Sequence, residues 1–583
     1  MVSPSRIVKI LEDLVKIPYY GLYGRTSSNE LVVESDEEGA PHIYLYNPFT
    51  GSKKRVTHKP IYLTATTLDK PINKIIYTRD VSRGKELQQI FIYDLIKNVE
   101  DKLVEMKPIR IFGLADAIDY VAFTGATSEG VFLYRVRNGE LEELAKLPGF
   151  GITYMAEGDL IVGTGSLGGD PKTWDLMIYD LSTNELKIYH PKPGTINTPL
   201  TIVGRSVVFE TNAFDPNRNV LVKLDVDTMK TEELKFKYED YDKVKPVEHS
   251  YCRYIDDEWI IVGKKEGRSK LFINGKLVET PPGTIGDMVK LGGKLYMTYS
   301  SLKKPSTVIE LDPSTGEYRE LLGGKLPAEY ESLFGDVKFT YIESYDGLKV
   351  PTFIVESREA GKPGPTVVYV HGGPWSEVAD SWRTMIAALV LTGFHVVAPN
   401  FRGSTGYGSE YMKLDIGDPG GGDLEDVVAA SKYARESGLA SKLFIMGYSY
   451  GGYMTLWALT NKPDLYEAGV AGASVVDWEE MYELGDALFK EFIKTLFDNK
   501  MDMLKERSPI SKIENLKKPL CIIHPQNDTR TPLKPVLKLM NKLLDLGKSF
   551  EAHIAPDMGH AVNTVEDAMK ILLPAILFLE KHK

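Results

Sequence analysis

Ser449 stands between two glycines, each two residues away, in Gly447-Tyr448-Ser449-Tyr450-Gly451-Gly452-Tyr453-Met454. The apolar run Leu443 to Met446 precedes it, and a stretch able to propagate a helix, Thr455 to Thr460, follows. Strand, sharp turn, helix is the arrangement that lifts a hydroxyl clear of the backbone to act as a nucleophile, and such a turn leaves little room for side chains two residues either side. A serine nucleophile needs a base, and a histidine base needs an acid that fixes its tautomer. Of ten histidines, His560 in Pro556-Asp557-Met558-Gly559-His560-Ala561 is chosen because it follows a strand-like run, Glu551 to Ile554, and precedes the C-terminal helical stretch. Asp528, directly after the strand-like Leu520 to His524, is the preferred acid, with Asp477 in Val475-Val476-Asp477-Trp478 as the alternative. The order Ser, Asp, His, with steps of 79 and 32 residues, is that of the α/β-hydrolase fold.

Acyl transfer also needs donors where negative charge develops on the substrate oxygen. The N–H of Tyr450, next after the nucleophile, is one. The second should come from a loop after an early strand, and His371-Gly372-Gly373-Pro374 follows Val367 to Val370; Gly373 is preferred and Gly372 is the alternative. No metal-ligand spacing and no phosphate-cradling Gly-rich loop with a Lys-Ser/Thr ending is present, so neither metal nor cofactor is expected.

These residues have to be held by something, and the C-terminal rhythm supplies it. From about Tyr341, apolar strands (Pro351 to Val355, Thr366 to Val370, His395 to Ala398, Leu443 to Met446, Gly469 to Ala473, Leu520 to His524, Glu551 to Ile554) alternate with helical stretches. That pattern indicates a parallel sheet covered on both faces, with its site at the carboxyl ends of the strands. From about Gly21 to Leu326 the chain instead shows short β-type runs and turns. Markers at Leu45, Ile92, Leu133, Ile178, Val222, Phe272 and Ile309 recur at intervals of 37 to 50 residues, the period of β-propeller blades, and seven markers predict seven blades. A stack of β-sandwich domains is the alternative. Ile7, Ile10, Leu11, Leu14 and Val15 make one face of an N-terminal helix expected to pack on the second domain. The expected division is 1–20 (that helix), 21–330 (propeller) and 331–583 (α/β-hydrolase).

A net charge of −11 argues against nucleic acid and anionic membrane surfaces as partners. Two cysteines, Cys252 and Cys521, cannot form a disulfide framework and fit a reducing compartment. No signal peptide is evident, and no apolar stretch approaches the roughly 18 residues of a membrane span; a cytoplasmic protein is expected.

Taken together, His371-Gly372-Gly373-Pro374, Asn400-Phe401-Arg402-Gly403-Ser404-Thr405-Gly406-Tyr407-Gly408, the Ser449 motif and Asp557-Met558-Gly559-His560 resemble the prolyl oligopeptidase family of serine peptidases, and within it archaeal acylaminoacyl peptidases. The resemblance implies a propeller joined to an α/β-hydrolase domain, with Ser449 as nucleophile, Asp528 as orienting acid, His560 as base, and Gly373 and Tyr450 as oxyanion donors. It implies a serine exopeptidase acting on short N-acylated peptides, with esterase activity alongside. A carboxylesterase, or an aminopeptidase or oligopeptidase of the same family, is the alternative; a propeller scaffold carrying a dead hydrolase is the non-enzyme reading. A homodimer from a thermophilic archaeon is also implied. Arg530, two residues after Asp528, is expected to bind a substrate carbonyl or a carboxylate across the domains. Phe489 and Phe492 are expected to wall an apolar side-chain pocket, which Phe150 reaches from the propeller; plain core is the alternative for the pair. Glu142-Glu143, Glu232-Glu233 and Glu479-Glu480 read as solvated surface pairs, not as anchors for a free ammonium.

Overall fold

Seven small sheets make up the first half of the molecule, a computed structural model that describes residues 2–583. Each sheet is one continuous segment of chain, its strands pairing antiparallel with the next in sequence. The first runs from Tyr20–Arg25 to Lys53–Arg55 and the seventh from Thr284–Leu291 to Tyr318–Gly323. Six have four strands; the second has three, Lys74–Asp80, Gln88–Asp94 and Val99–Lys102. A short segment completes the second sheet's inner side, Thr64 bridging to Tyr77 and Thr66 to Ala115 of the third.

Six of the periodic markers lie in the third strand of a four-stranded blade, and Ile92 lies in the middle strand of the second. Those strands are sandwiched between neighbouring blades and so read as apolar runs: every residue of His42–Tyr46 and of Asp175–Asp180 is buried. The outermost strands, such as Lys53–Arg55 and Glu140–Lys146, are charged and largely exposed, which discourages pairing with another sheet edge. Each pair of successive blades shares its own apolar cluster. The ring is completed where Tyr20, Leu22 and Leu31 pack on Val289, Tyr296 and Val308. Among the described residues no strand is exchanged between first and last blades, so packing alone closes this seven-bladed propeller, and a stack of sandwiches is ruled out.

The second half forms an eight-stranded sheet: β1 (Phe334–Glu343), β2 (Lys349–Ser357), β3 (Gly364–Val370), β4 (His395–Pro399), β5 (Ala440–Tyr448), β6 (Ala468–Gly472), β7 (Leu520–Pro525) and β8 (Phe550–Ala555), in the order β1-β2-β4-β3-β5-β6-β7-β8. Strands from β4 onward in that order run parallel, while β1 and β2 pair antiparallel at one edge. β1 starts ahead of Tyr341, where the apolar rhythm sets in, because as an edge strand it mixes exposed and buried positions and shows no continuous apolar run. Seven helices matter here: α1 (Pro4–Val15), α2 (Thr384–Leu391), α3 (Gly422–Glu436), α4 (Tyr450–Asn461), α5 (Ala487–Leu496), α6 (Leu533–Asp545) and α7 (Val565–His582). One face of the sheet packs on α3, α4 and α6 and the other on α1, α2 and α7. The apolar stripe of α1 is buried in that second layer, so the N-terminus belongs physically to the hydrolase sheet although the propeller separates them in sequence.

Candidate active site

β5 ends at Tyr448 and α4 begins at Tyr450, leaving Ser449 alone at the turn with φ 60° and ψ −121°. Holding a non-glycine residue there costs on the order of 1–3 kcal/mol, a strain typical of functional turns. The glycines are demanded by close packing: a Cβ on Gly447 would meet the Gly451 carbonyl, and one on Gly451 the carbonyl of Val370 in β3. The Ser449 N–H donates to Gly472 at the end of β6 (2.9 Å).

Ser449 Oγ lies 2.9 Å from His560 Nε2, and His560 Nδ1 lies 2.7 Å from Asp528 Oδ2. An ionised carboxylate only accepts, so the ring proton belongs on Nδ1 and Nε2 is left to accept from the serine hydroxyl. Asp528 Oδ1 also accepts from the N–H groups of Arg530 (2.9 Å) and Thr531 (2.8 Å), and Oδ2 from the Thr531 hydroxyl (2.8 Å). Burial pushes this carboxyl up, but His560, His524 and the Thr531 N–H outweigh it and hold it at about 2. The Tyr448 hydroxyl donates to the His560 carbonyl (2.8 Å), steadying the loop from below. The alternative acid, Asp477, is engaged elsewhere: its carboxylate caps the short helix Trp478–Leu484 by accepting from Glu480 N–H.

Gly372 sits against the nucleophile, where a Cβ would come within 3.3 Å of Ser449 Cβ, and Gly373 follows at φ +125°. The N–H groups of Gly372, Gly373 and Tyr450 make no hydrogen bond within the described residues. His371 anchors the loop from underneath, its ring stacked 4.4 Å over Phe401 with Nε2 2.9 Å from Ser404 Oγ. Burial pushes it down to about 4, so it is neutral at ordinary pH. The Tyr450 hydroxyl donates to the buried Asp423 at the start of α3 (2.5 Å).

The propeller reaches into this site. The hairpin of its second blade, residues 81–87, packs on the loops carrying Asp528 and His560: Asn527 Nδ2 donates to the Arg83 carbonyl (2.7 Å), and a Cβ on either Gly84 or Gly559 would collide with the backbone of the other. Glu86, in the same hairpin, binds the Arg530 guanidinium (2.9 and 2.7 Å) and Arg110 of the third blade. Arg110 is itself buried, with Nε 2.5 Å from Asp486 and Nη2 2.6 Å from Thr529 Oγ1. Of the two roles expected for Arg530, the structure provides the carboxylate across the domains. Glu86 and Arg110 carried no sequence signal, since a single charge in a turn or strand looks like a solvated one.

Phe489 and Phe492 lie half-buried on α5 with ring centroids 6.1 Å apart, Arg110 over the first and Trp375 against the second (5.4 Å). Phe150 does not join them directly. It contacts Trp174 (5.9 Å), which meets Trp375 edge-on (5.2 Å), so two tryptophans unremarked in the sequence bridge propeller and hydrolase. Trp375 was findable, standing one residue after the Gly-Gly-Pro loop. A cleft of about 1030 Å³ opens between propeller and hydrolase, lined by Arg110, Gly149, Asp486, Lys490, Asp528 and Thr529 among others; Phe150, Phe489 and Phe492 do not line it. The reading of Glu479-Glu480 as a solvated pair needs correction: Glu480 is buried and clamped by Lys534 and Lys538 (3.1 and 2.8 Å), which reach it from α6.

A strained serine joined by hydrogen bonds to a histidine and a carboxylate, at the carboxyl edge of a mainly parallel sheet and roofed by a propeller, is the apparatus of a serine hydrolase. Two family models match: the N-terminal domain of acylamino-acid-releasing enzyme-like proteins over residues 32–309, and the prolyl oligopeptidase family over residues 380–583. Over residues 380–583 the chain thus belongs with the prolyl oligopeptidase family, and its propeller matches the acylamino-acid-releasing type. It is 29% identical over 327 residues to dipeptidyl aminopeptidase BIII of Pseudoxanthomonas mexicana (53% of this chain, 47% of that protein). It is 30% identical over 229 residues to the acylamino-acid-releasing enzyme of Homo sapiens (37% and 31%). The alignments thus span less than half the length of these relatives. Among solved structures, Pyrococcus horikoshii acylaminoacyl peptidase shares the fold with a TM-score of 0.70 at 19% identity, covering 98% of this chain and 96% of that one. A structure from a study of two prolyl endopeptidases does so with 0.85 at 15% identity, covering 99% and 91%.

Proposed function

We propose that this protein is a serine exopeptidase that releases an N-acylated amino acid from the N-terminus of short peptides, with esterase activity alongside. Ser449 attacks the scissile carbonyl while His560 takes its proton and passes it to the leaving amine. Asp528 keeps the imidazole in the tautomer that can accept, and the Tyr450 and Gly373 N–H groups receive the oxyanion, each worth on the order of 3 kcal/mol in the barrier. Water then repeats the sequence on the acyl-enzyme. Phe489 and Phe492 wall the side-chain pocket, with Phe150 backing it through the tryptophans, and Arg530 lies within the same seam. We further propose the domain division 1–20, 21–330 and 331–583, and a cytoplasmic homodimer from a thermophilic archaeon. The buried free thiols of Cys252 and Cys521 accord with a reducing compartment. Among the described residues no helix is long and apolar enough to cross a membrane.

One observation carries the choice of an acylated over a free N-terminus. The carboxylates tied to the Asp528 loop, Glu86 and Asp486, are already bound by Arg110 and Arg530, and of the other acidic residues lining the cleft Glu491 is paired with Lys494 and Glu129 stands exposed on the propeller, so beside the triad the anchor an α-ammonium would require is neutralised. The test is the ratio of hydrolysis rates for N-acetyl-phenylalanyl anilide and the same anilide with a free amine, with Ser449→Ala as blank. The acetylated compound should be cleaved at least tenfold faster. Preference for the free amine would instead establish the aminopeptidase reading, and cleavage of esters alone the carboxylesterase reading.

A further inference from the structure

Behind the nucleophile turn, on the α1–α7 side of the sheet, lies a second cavity of about 550 Å³, within the size range of small-molecule sites. Its body is apolar, formed by Leu14, Ile17, Met446, Val470, Ile523 and Leu572. At the propeller end stand two carboxyls, Glu34 and Asp36, with the aromatic rings of Tyr19, Tyr62 and Trp382 around the same space. No Lys, Arg or His lines it among the described residues. Glu34 is 6% exposed and accepts from the hydroxyls of Tyr19 and Thr64 (the latter 3.0 Å); Asp36 accepts from the Tyr19 N–H (2.9 Å). These contacts orient the carboxyls without neutralising them. Burial pushes Glu34 up to about 7 and Asp36 up to about 6, helped by negative neighbours, Asp287 and Asp36 on the first and Glu37 on the second.

Uncompensated carboxyls cost free energy in an apolar wall unless a cation joins them. Aromatic faces beside carboxylates are the surroundings in which proteins bind ammonium groups, and the apolar body would bury a hydrocarbon tail. We propose that this cavity is a binding site for an amphiphilic ammonium cation, its head between Glu34 and Asp36 and its tail along Met446, Val470 and Leu572. The site is separate from the substrate seam: its lining includes Gly447 and Tyr448 but neither Ser449 nor Asp528. It does not depend on which substrate the enzyme cleaves.

n-Octylammonium is the probe, titrated below its aggregation concentration into the full chain at pH 8 with Trp382 fluorescence and calorimetry as readouts, in protein whose Ser449 has been blocked by a phosphonate. We expect one molecule bound per chain, at least tenfold tighter than n-octanol, whose tail is the same and whose head is uncharged. Glu34→Gln/Asp36→Asn should weaken octylammonium at least tenfold and leave octanol unchanged. Ala568→Phe, which fills the cavity from α7 without touching the carboxyls, should weaken both and checks the location if the double variant fails to fold. Equal binding of octanol and octylammonium, retained binding in the folded double variant, or binding seen only while Ser449 is unblocked would each overturn the proposal.

Discussion

Asp528 and Asp477 both lie in loops that follow a strand between Ser449 and His560, and their hydrogen bonds tell them apart. Asp528 touches His560 Nδ1 at 2.7 Å, whereas Asp477 satisfies the N-terminus of a helix. Asp528→Asn should therefore leave substrate binding near its original value and lower kcat by about 10⁴, the loss seen when a serine protease histidine is left with the wrong tautomer. Asp477→Asn should leave kcat unchanged, and Asp477→Ala should cost about 1 kcal/mol of stability through the lost cap. Steady-state kinetics and denaturant unfolding on the three variants distinguish the assignments, and a crippling Asp477→Asn would reverse them. At this scale the sequence was informative where covalent order and backbone sterics dictate the residue. Gly447 and Gly451 are required by carbonyls that leave no room for a Cβ. It was silent where the partner lies far along the chain. Nothing local to Glu86 announces Arg110 and Arg530, and nothing in Phe150 announces that Trp174 stands between it and the hydrolase.

The element that most shapes the site is a turn of the propeller. Asp80 organises the 81–87 hairpin by accepting from the N–H groups of Ser82, Gly84 and Glu86 (2.7, 2.9 and 3.1 Å). That places Gly84 in backbone contact with Gly559, one residue before His560. Gly84 also has φ +89°, so Gly84→Ala meets both a forbidden conformation and a collision with the base's loop. We expect it to lower kcat for a small acyl ester at least tenfold, while an alanine at Gly51, which has φ +73° and nothing within 4 Å, leaves kcat unchanged. Equal rates for the two variants would show that the hairpin does not hold His560. The blades themselves were readable because their third strands are buried on both faces and keep an apolar rhythm. β1 was not, being an edge strand of mixed exposure.

Over the whole molecule, acid stability follows from groups buried without their charge. His371 is held at about 4 by burial, below its ordinary 6.5. In the folded state it resists a proton that the unfolded chain takes up readily, so its contribution to stability is present above pH 6.5 and is lost as pH falls toward 4. Denaturant unfolding between those values should show the wild type losing on the order of 3 kcal/mol from this group, and His371→Asn should flatten that part of the profile. An unchanged slope would mean the ring is protonated in place.

The base and its acid lean on the propeller through Gly84, Arg83 and Glu86, whereas Ser449 is held by β5, α4 and its bond to Gly472 of β6, all within the hydrolase sheet. The groups that activate the nucleophile thus have supports on both domains, the nucleophile itself on one. A propeller swung aside would take the 81–87 hairpin from the loop of His560 and leave the surroundings of Ser449 as they are. A chain too bulky to lie beneath the seated propeller would therefore meet a base that had lost one of its supports.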